Sequence, residues 1–130
     1  MTNRILLITD DSPLAASLEA QLALWGYGCL TCRDASEALR QAAEEPPLAV
    51  VVDTDMPRVD VLDVVTALRQ HGPTSRTAAV AILPSLADDV VELAAGRGCD
   101  RVTSRPVDPD WIGGEIDRIA ARRHEDRSAA

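Results

Sequence analysis

The sequence predicts an α/β domain in which helices cover both faces of a parallel sheet. Three observations lead there. Ile5-Leu6-Leu7-Ile8 and Ala49-Val50-Val51-Val52 are continuous apolar runs of strand length. Lacking the alternation of a half-exposed strand, each suits a strand buried on both faces. Strand and helix signals then alternate five times along the chain, as expected for right-handed crossovers in a parallel sheet. Finally, the two runs give way to Asp10-Asp11 and Asp53-Thr54-Asp55. That places carboxylates at the carboxyl edge of the sheet, where open α/β folds build their sites.

The first strand spans about Arg4 to Thr9. Asp11 and Ser12 are both able to cap the helix that follows, and Pro13 suits a first helical turn. Leu14, Leu18, Leu22 and Trp25 recur at helical spacing, and Gly26 ends the helix. A short strand from about Gly28 to Cys32 precedes a helix capped by Asp34 or Ser36, which runs to about Glu44 and is broken by Pro46-Pro47. Leu48 to Val52 is the third strand. After a Met56-Pro57 turn, Val61, Leu62, Val65 and Leu68 mark a third helix, stopped by Gly72-Pro73. Ala78 to Leu83 is the fourth strand, and a helix from about Ala87 to Ala95 ends in Gly96-Arg97-Gly98. The fifth strand is about Arg101 to Thr103, and a last helix runs from about Pro109 to Arg122. Residues 1–124 read as one domain and residues 125–130 as a polar, frayed C-terminal tail.

A chain of 130 residues is expected to form one core, without a separate DNA-binding module. No apolar stretch reaches membrane-spanning length, and Met-Thr-Asn-Arg at the start lacks a leader's apolar region, so the expected compartment is the cytoplasm. The net charge of −8 argues against direct nucleic-acid binding, which needs clustered cations on phosphates. All 13 basic residues are arginine. Cys29-Leu30-Thr31-Cys32 has C-x-x-C spacing, but residues three apart on a strand point to opposite faces, so the thiols cannot meet. They read as buried small hydrophobes.

Asp10, Asp11 and Asp53, brought together at one sheet edge, would repel one another strongly. A divalent cation relieves that repulsion, and hard oxygen ligands favour Mg²⁺. Helix capping by one of the first pair, and a turn role for Asp53, are compatible with this reading. Asp53-Thr54-Asp55 also imitates the start of haloacid-dehalogenase-type phosphatases, but it lies mid-chain and no lysine follows it.

Taken in order, Thr9-Asp10-Asp11, Asp53-Thr54-Asp55-Met56-Pro57, Trp25-Gly26-Tyr27, Gly98-Cys99-Asp100 and Arg105-Pro106 resemble the motifs of two-component response-regulator receiver domains. The likeness spans about Ile5 to Arg122. It implies a flavodoxin-like (βα)5 doubly wound parallel sheet of strand order 2-1-3-4-5, which brings Asp10, Asp11 and Asp53 into one crevice. It further implies that Asp53 accepts a phosphoryl group from a histidine kinase or phosphotransfer protein. Asp11 and Asp53 would be direct Mg²⁺ ligands, Asp10 would act partly through water, and the backbone carbonyl of Asp55 would complete the set. No enzyme activity beyond phosphorylation and dephosphorylation of Asp53 itself is implied.

Three positions depart from the family pattern. Pro84 stands where the family has Thr or Ser after its fourth strand, Arg105 where it has Lys, and Val102 where it has a switching aromatic ring. Pro84 offers neither hydroxyl nor N–H, whereas Arg105 still pairs with phosphate as a wide planar fork. These departures leave a second reading open, a pseudo-receiver that binds partners without being switched by phosphate. The resemblance places partner contact on the fourth helix, fifth strand and fifth helix, with Asp88, Val90, Leu93, Arg101, Ile112 and Arg118 as candidates. Val90, Leu93 and Ile112 serve equally well as core residues. Homodimerisation stays open.

Overall fold

The strand and helix signals fold in the expected order. The computed structural model describes residues 3–56 and 60–129, with side chains described as far as Glu125. Strands β1 (Arg4–Ile8), β2 (Gly28–Cys32), β3 (Ala49–Asp53), β4 (Ala78–Leu83) and β5 (Arg101–Ser104) form one sheet of order β2-β1-β3-β4-β5. All four strand pairings are parallel. Helices α1 (Ser12–Leu24), α2 (Ala35–Glu44), α3 (Leu62–Gln70), α4 (Asp88–Gly96) and α5 (Pro109–Ala129) connect and cover the strands, with a 3-10 turn at Gly72–Thr74. This is the flavodoxin-like doubly wound architecture. Among the described residues, no helix is long and apolar enough to cross a membrane.

The unbroken apolar runs are explained by two cores. Ile5, Leu7, Val51, Val80 and Ile82 pack with Leu18 and Leu22 of α1 and Ile112, Ile116 and Ile119 of α5. The alternate residues Leu6, Ile8, Val50, Val52, Ala79, Ala81 and Leu83 pack with α2, α3 and Ala94 of α4. Because side chains alternate across a strand, a central strand covered on both faces must be apolar at every position. Each such Leu or Ile contributes roughly 1.5–3 kcal/mol. Cys29 accordingly lies against one core and Cys32 within the other, and both are free thiols.

Side-chain caps set the starts of α1 and α2. Asp11 caps α1, its carboxylate accepting from the Leu14 amide at 3.0 Å, and Asp34 caps α2, accepting from Glu37 at 2.8 Å. Gly26, at φ +86°, turns the chain out of α1, a conformation that costs glycine nothing. Pro57 of the expected Met56-Pro57 turn lies outside the described residues.

Two expectations are corrected. Helix α5 does not stop near Arg122 but continues to Ala129. Residues 123–129 contain neither glycine nor proline, so nothing interrupts the helix. Arg123 also ties it to the sheet by donating to Asp100 at 2.8 Å. Ile112, a candidate partner contact, is fully buried against the sheet and is a core residue. Val90 is half-buried, and Leu93 is exposed.

Candidate functional site

Strand register builds the site. Ile8 pairs with Val52, so Thr9 and Asp53 follow side by side at the carboxyl edge. Both have the odd parity that faces α1 and α5. The Thr9 hydroxyl donates to Asp53 Oδ2 at 2.7 Å and accepts from the Asp11 amide at 3.1 Å. The Asp55 amide donates to Asp53 Oδ1 at 3.0 Å. Thr54 turns the chain after β3 by donating its amide (3.0 Å) and its hydroxyl (2.7 Å) to the Ile82 carbonyl. Both oxygens of Asp53 are therefore held, and the residue is only 1% exposed.

Arg105, just past β5, closes the site from the opposite side. Its Nη1 donates to Asp53 Oδ1 at 3.1 Å, and its Nη2 donates to Asp53 Oδ2 at 2.8 Å and to Asp11 Oδ2 at 3.1 Å. The fork thus chelates one carboxylate and bridges to a second. Asp11 divides its work: Oδ1 caps α1 while Oδ2 faces Arg105. Capping and a role in the site coexist on one side chain.

The charges follow from these contacts. Burial pushes the Asp53 carboxyl up, but hydrogen bonds from Arg105, Thr9 and the Asp55 amide outweigh it and hold the group below the usual carboxylate range. The Leu14 amide, then Arg105, lowers Asp11. Arg105 is raised in turn, chiefly by its hydrogen bonds to Asp53. At neutral pH both acids are ionised.

Asp11, Asp53 and Arg105 converge, whereas Asp10 stands apart. Asp10 is exposed and makes no hydrogen bond or ion pair with any described residue; it lines an open cavity of about 260 Å³ with Asp11, Glu19, Thr31 and Arg33. Among the described residues, no three His, Cys, Asp or Glu side chains are grouped to hold a metal ion. Two carboxylates nonetheless fit one: Asp11 and Asp53 both lie within 3.1 Å of a single positively charged nitrogen, Arg105 Nη2. A cation between them meets hard anionic oxygens from both sides, the donor set that Mg²⁺ favours. Asp55 is exposed, with its amide on Asp53.

Pro84 is exposed just beyond β4. Ser85, the nearest hydroxyl, accepts from the Ala87 amide at 3.3 Å and so serves the turn into α4. Val102 is half-buried against the core beneath α4. Sequence reasoning missed Thr9 as a site residue. Its signal was a polar side chain closing an apolar run immediately before paired acids.

Comparison with known proteins bears on family and fold. The family profile "Response regulator receiver domain" matches residues 5–116. The transcriptional regulatory protein PrrA of Mycobacterium tuberculosis is 42% identical over 93 residues, covering 72% of this chain and 40% of its own length. The response regulator MprA of Mycobacterium leprae is 36% identical over 126 residues, covering 97% of this chain and 54% of its own. The chain thus spans about half or less of these relatives. A CheY-like response regulator receiver domain protein from Methanospirillum hungatei superposes with a TM-score of 0.85 at 17% identity, over 97% of this chain and 99% of that one. The receiver domain of the sensor histidine kinase PA1611 from Pseudomonas aeruginosa, solved with magnesium coordinated in its active-site cleft, gives a TM-score of 0.81 at 20% identity, over 93% and 99%. At such identities the two structures speak to fold alone.

Proposed function

This chain belongs to the response-regulator receiver family, and we propose that it works in a phosphorelay by accepting a phosphoryl group on Asp53. One observation carries the reading: a buried carboxylate at the carboxyl edge, hydrogen-bonded on both oxygens and kept ionised, faces a cation position that it shares with Asp11. An Asp53 oxygen attacks the phosphorus of a kinase or phosphotransfer phosphohistidine. The new O–P bond forms as the N–P bond breaks, and the leaving imidazole nitrogen keeps the electron pair. Thr9 and the Asp55 amide orient the nucleophile, so little reorganisation is left for the transfer.

Mg²⁺ would be held by Asp11 and Asp53, with Asp10 through water and the Asp55 backbone carbonyl, and would neutralise the phosphoryl oxygens. Arg105, already within reach of Asp53, would pair with the phosphate once it forms. The signal would leave through contact with a downstream protein on the face of α4, β5 and α5. There Leu93 is 53% exposed, while Asp88 and Arg118 are exposed and Arg101 half-buried. The setting would be cytoplasmic.

Pro84 and Val102 favour a second reading, a receiver whose partner surface is not switched by phosphate. With no hydroxyl at position 84 and no ring at 102, phosphorylation has little means of distinguishing two conformations. Incubation with Mg²⁺ and a small phosphodonor such as acetyl phosphate, followed by intact mass, tests the proposal. One added phosphoryl group on the wild type and none on Asp53→Ala is expected. No adduct on the wild type refutes phosphoacceptance and leaves the unswitched module.

A further inference from the structure

We propose that Arg105 is the site's built-in counter-cation: its guanidinium occupies the position between Asp11 and Asp53, and a divalent ion enters only by displacing it. The inference rests on the reading of these two acids as the cation-binding pair. Its basis is the number and placement of the contacts. Arg105 places one nitrogen on Asp53 Oδ1 at 3.1 Å and the other on both Asp53 Oδ2 at 2.8 Å and Asp11 Oδ2 at 3.1 Å. A lysine's single ammonium nitrogen has the donors to bridge Asp53 and Asp11, as Nη2 does here, but it brings no second nitrogen to hold Asp53 Oδ1 at the same time. The arginine therefore replaces a point charge with a clamp across the metal position.

The surroundings strengthen the clamp. The Thr9 hydroxyl and the Asp55 amide each fix an oxygen that Arg105 uses, so the carboxylate is presented to the fork without rotating. No other acid competes for Arg105 among the described residues, yet its side chain is 37% exposed. It has open water to swing into when displaced. The pocket is consequently stable without metal, and its affinity for a divalent ion is set by competition with its own side chain. Arg105 is a specificity-determining residue: it decides at what metal concentration Asp53 becomes competent.

Isothermal titration of Mg²⁺, and of Mn²⁺ in parallel, into wild type, Arg105→Lys and Arg105→Ala tests this. Arg105→Lys should bind metal about tenfold more tightly than wild type, the scale of one charge-assisted hydrogen bond lost by the competitor. Arg105→Ala should bind at least as tightly as Arg105→Lys. Equal or weaker binding by Arg105→Lys overturns the proposal, because then charge rather than the fork governs entry. Absence of binding in all three overturns it as well. Should Arg105→Ala fail to fold, the charge-preserving Arg105→Lys still decides the question.

Phosphorylation of Asp53 by a small donor, read by intact mass on the same samples, separates this idea from the phosphoacceptor reading. The expected order of metal affinities without phosphoryl transfer in any variant supports the counter-cation and removes the phosphoacceptor. Transfer to wild-type Asp53 with equal metal affinities for wild type and Arg105→Lys does the reverse.

Discussion

At the amino edge of the sheet, Asp100 accepts from Arg69 at 3.1 Å, from Arg123 at 2.8 Å and from the Ala79 amide at 2.8 Å. At the carboxyl edge, Asp53 and Asp11 share the single guanidinium of Arg105. The chemistry is alike and the balance is opposite. Two cations meet one carboxylate at the first edge; two carboxylates meet one cation at the second. The surplus positive charge at the amino edge is absorbed by backbone: Arg69 also donates to the carbonyls of Gly98, Ser75 and Thr77. At the carboxyl edge the Asp55 amide on Asp53 and the Leu14 amide on Asp11 also share the load, but the two acids still outnumber their one cation, the imbalance on which the proposed metal site rests. An excess of cations makes a clamp at one edge, and an excess of acids makes the proposed cation site at the other.

The largest expected effect lies at the clamp. Asp100→Ala removes the carboxylate that two partly buried arginines share and should cost about 3 kcal/mol in urea unfolding. Asp53→Ala should cost about 1 kcal/mol or less, because it relieves burial and repulsion as it removes hydrogen bonds. Equal losses would end the distinction between the edges. Next comes Gly98→Ala. Gly98 has φ +103°, and an added Cβ would meet Arg69 Cγ at 3.0 Å. Backbone strain and a disturbed Arg69 together should cost about 2 kcal/mol, without altering phosphoryl transfer.

Thr9→Val sharpens the comparison from the other edge. Losing the hydroxyl should cost about 1 kcal/mol at neutral pH and raise the Asp53 carboxyl toward its ordinary value, seen in an NMR titration. The sign follows from the lowered native pKa. The stabilisation is fully present above the unfolded value of about 3.9 and is lost as pH falls through the lower folded one. Wild type and Thr9→Val should therefore converge in stability in strong acid. The smallest effect is expected on adding beryllofluoride. Amide shifts over residues 84–104 should be slight in the wild type and larger in the Pro84→Thr, Arg105→Lys double variant. A large wild-type rearrangement would show a switching route that avoids position 84.

How much of this was legible in the sequence depended on range. The strands were readable because burial on both faces leaves an unbroken apolar run, and α1 and α2 because Asp11 and Asp34 cap them from the adjacent residue. The acids of the site were readable because they end those runs. Less legible was what sequence separation hides. Arg105 lies 52 residues from Asp53, and no periodicity announces that its fork will span both acids. Thr9 became a site residue only once β1 and β3 paired in register. Asp10 has the same residue type as its neighbour, but the cap directs Asp11 inward and leaves Asp10 exposed. The end of α5 was misjudged because charged composition suggested fraying, while the anchoring partner of Arg123 lies 23 residues earlier.

The claim that one edge holds and the other receives is tested most directly by thermal melting with and without Mg²⁺. Wild type should gain stability with metal, by about 1.4 kcal/mol at ten times its dissociation constant. Asp11→Ala should lose that gain, whereas Asp100→Ala should melt lower throughout and keep it. If saturating Mg²⁺ leaves the wild-type melting temperature unchanged, the carboxyl edge is not a cation site and the account fails.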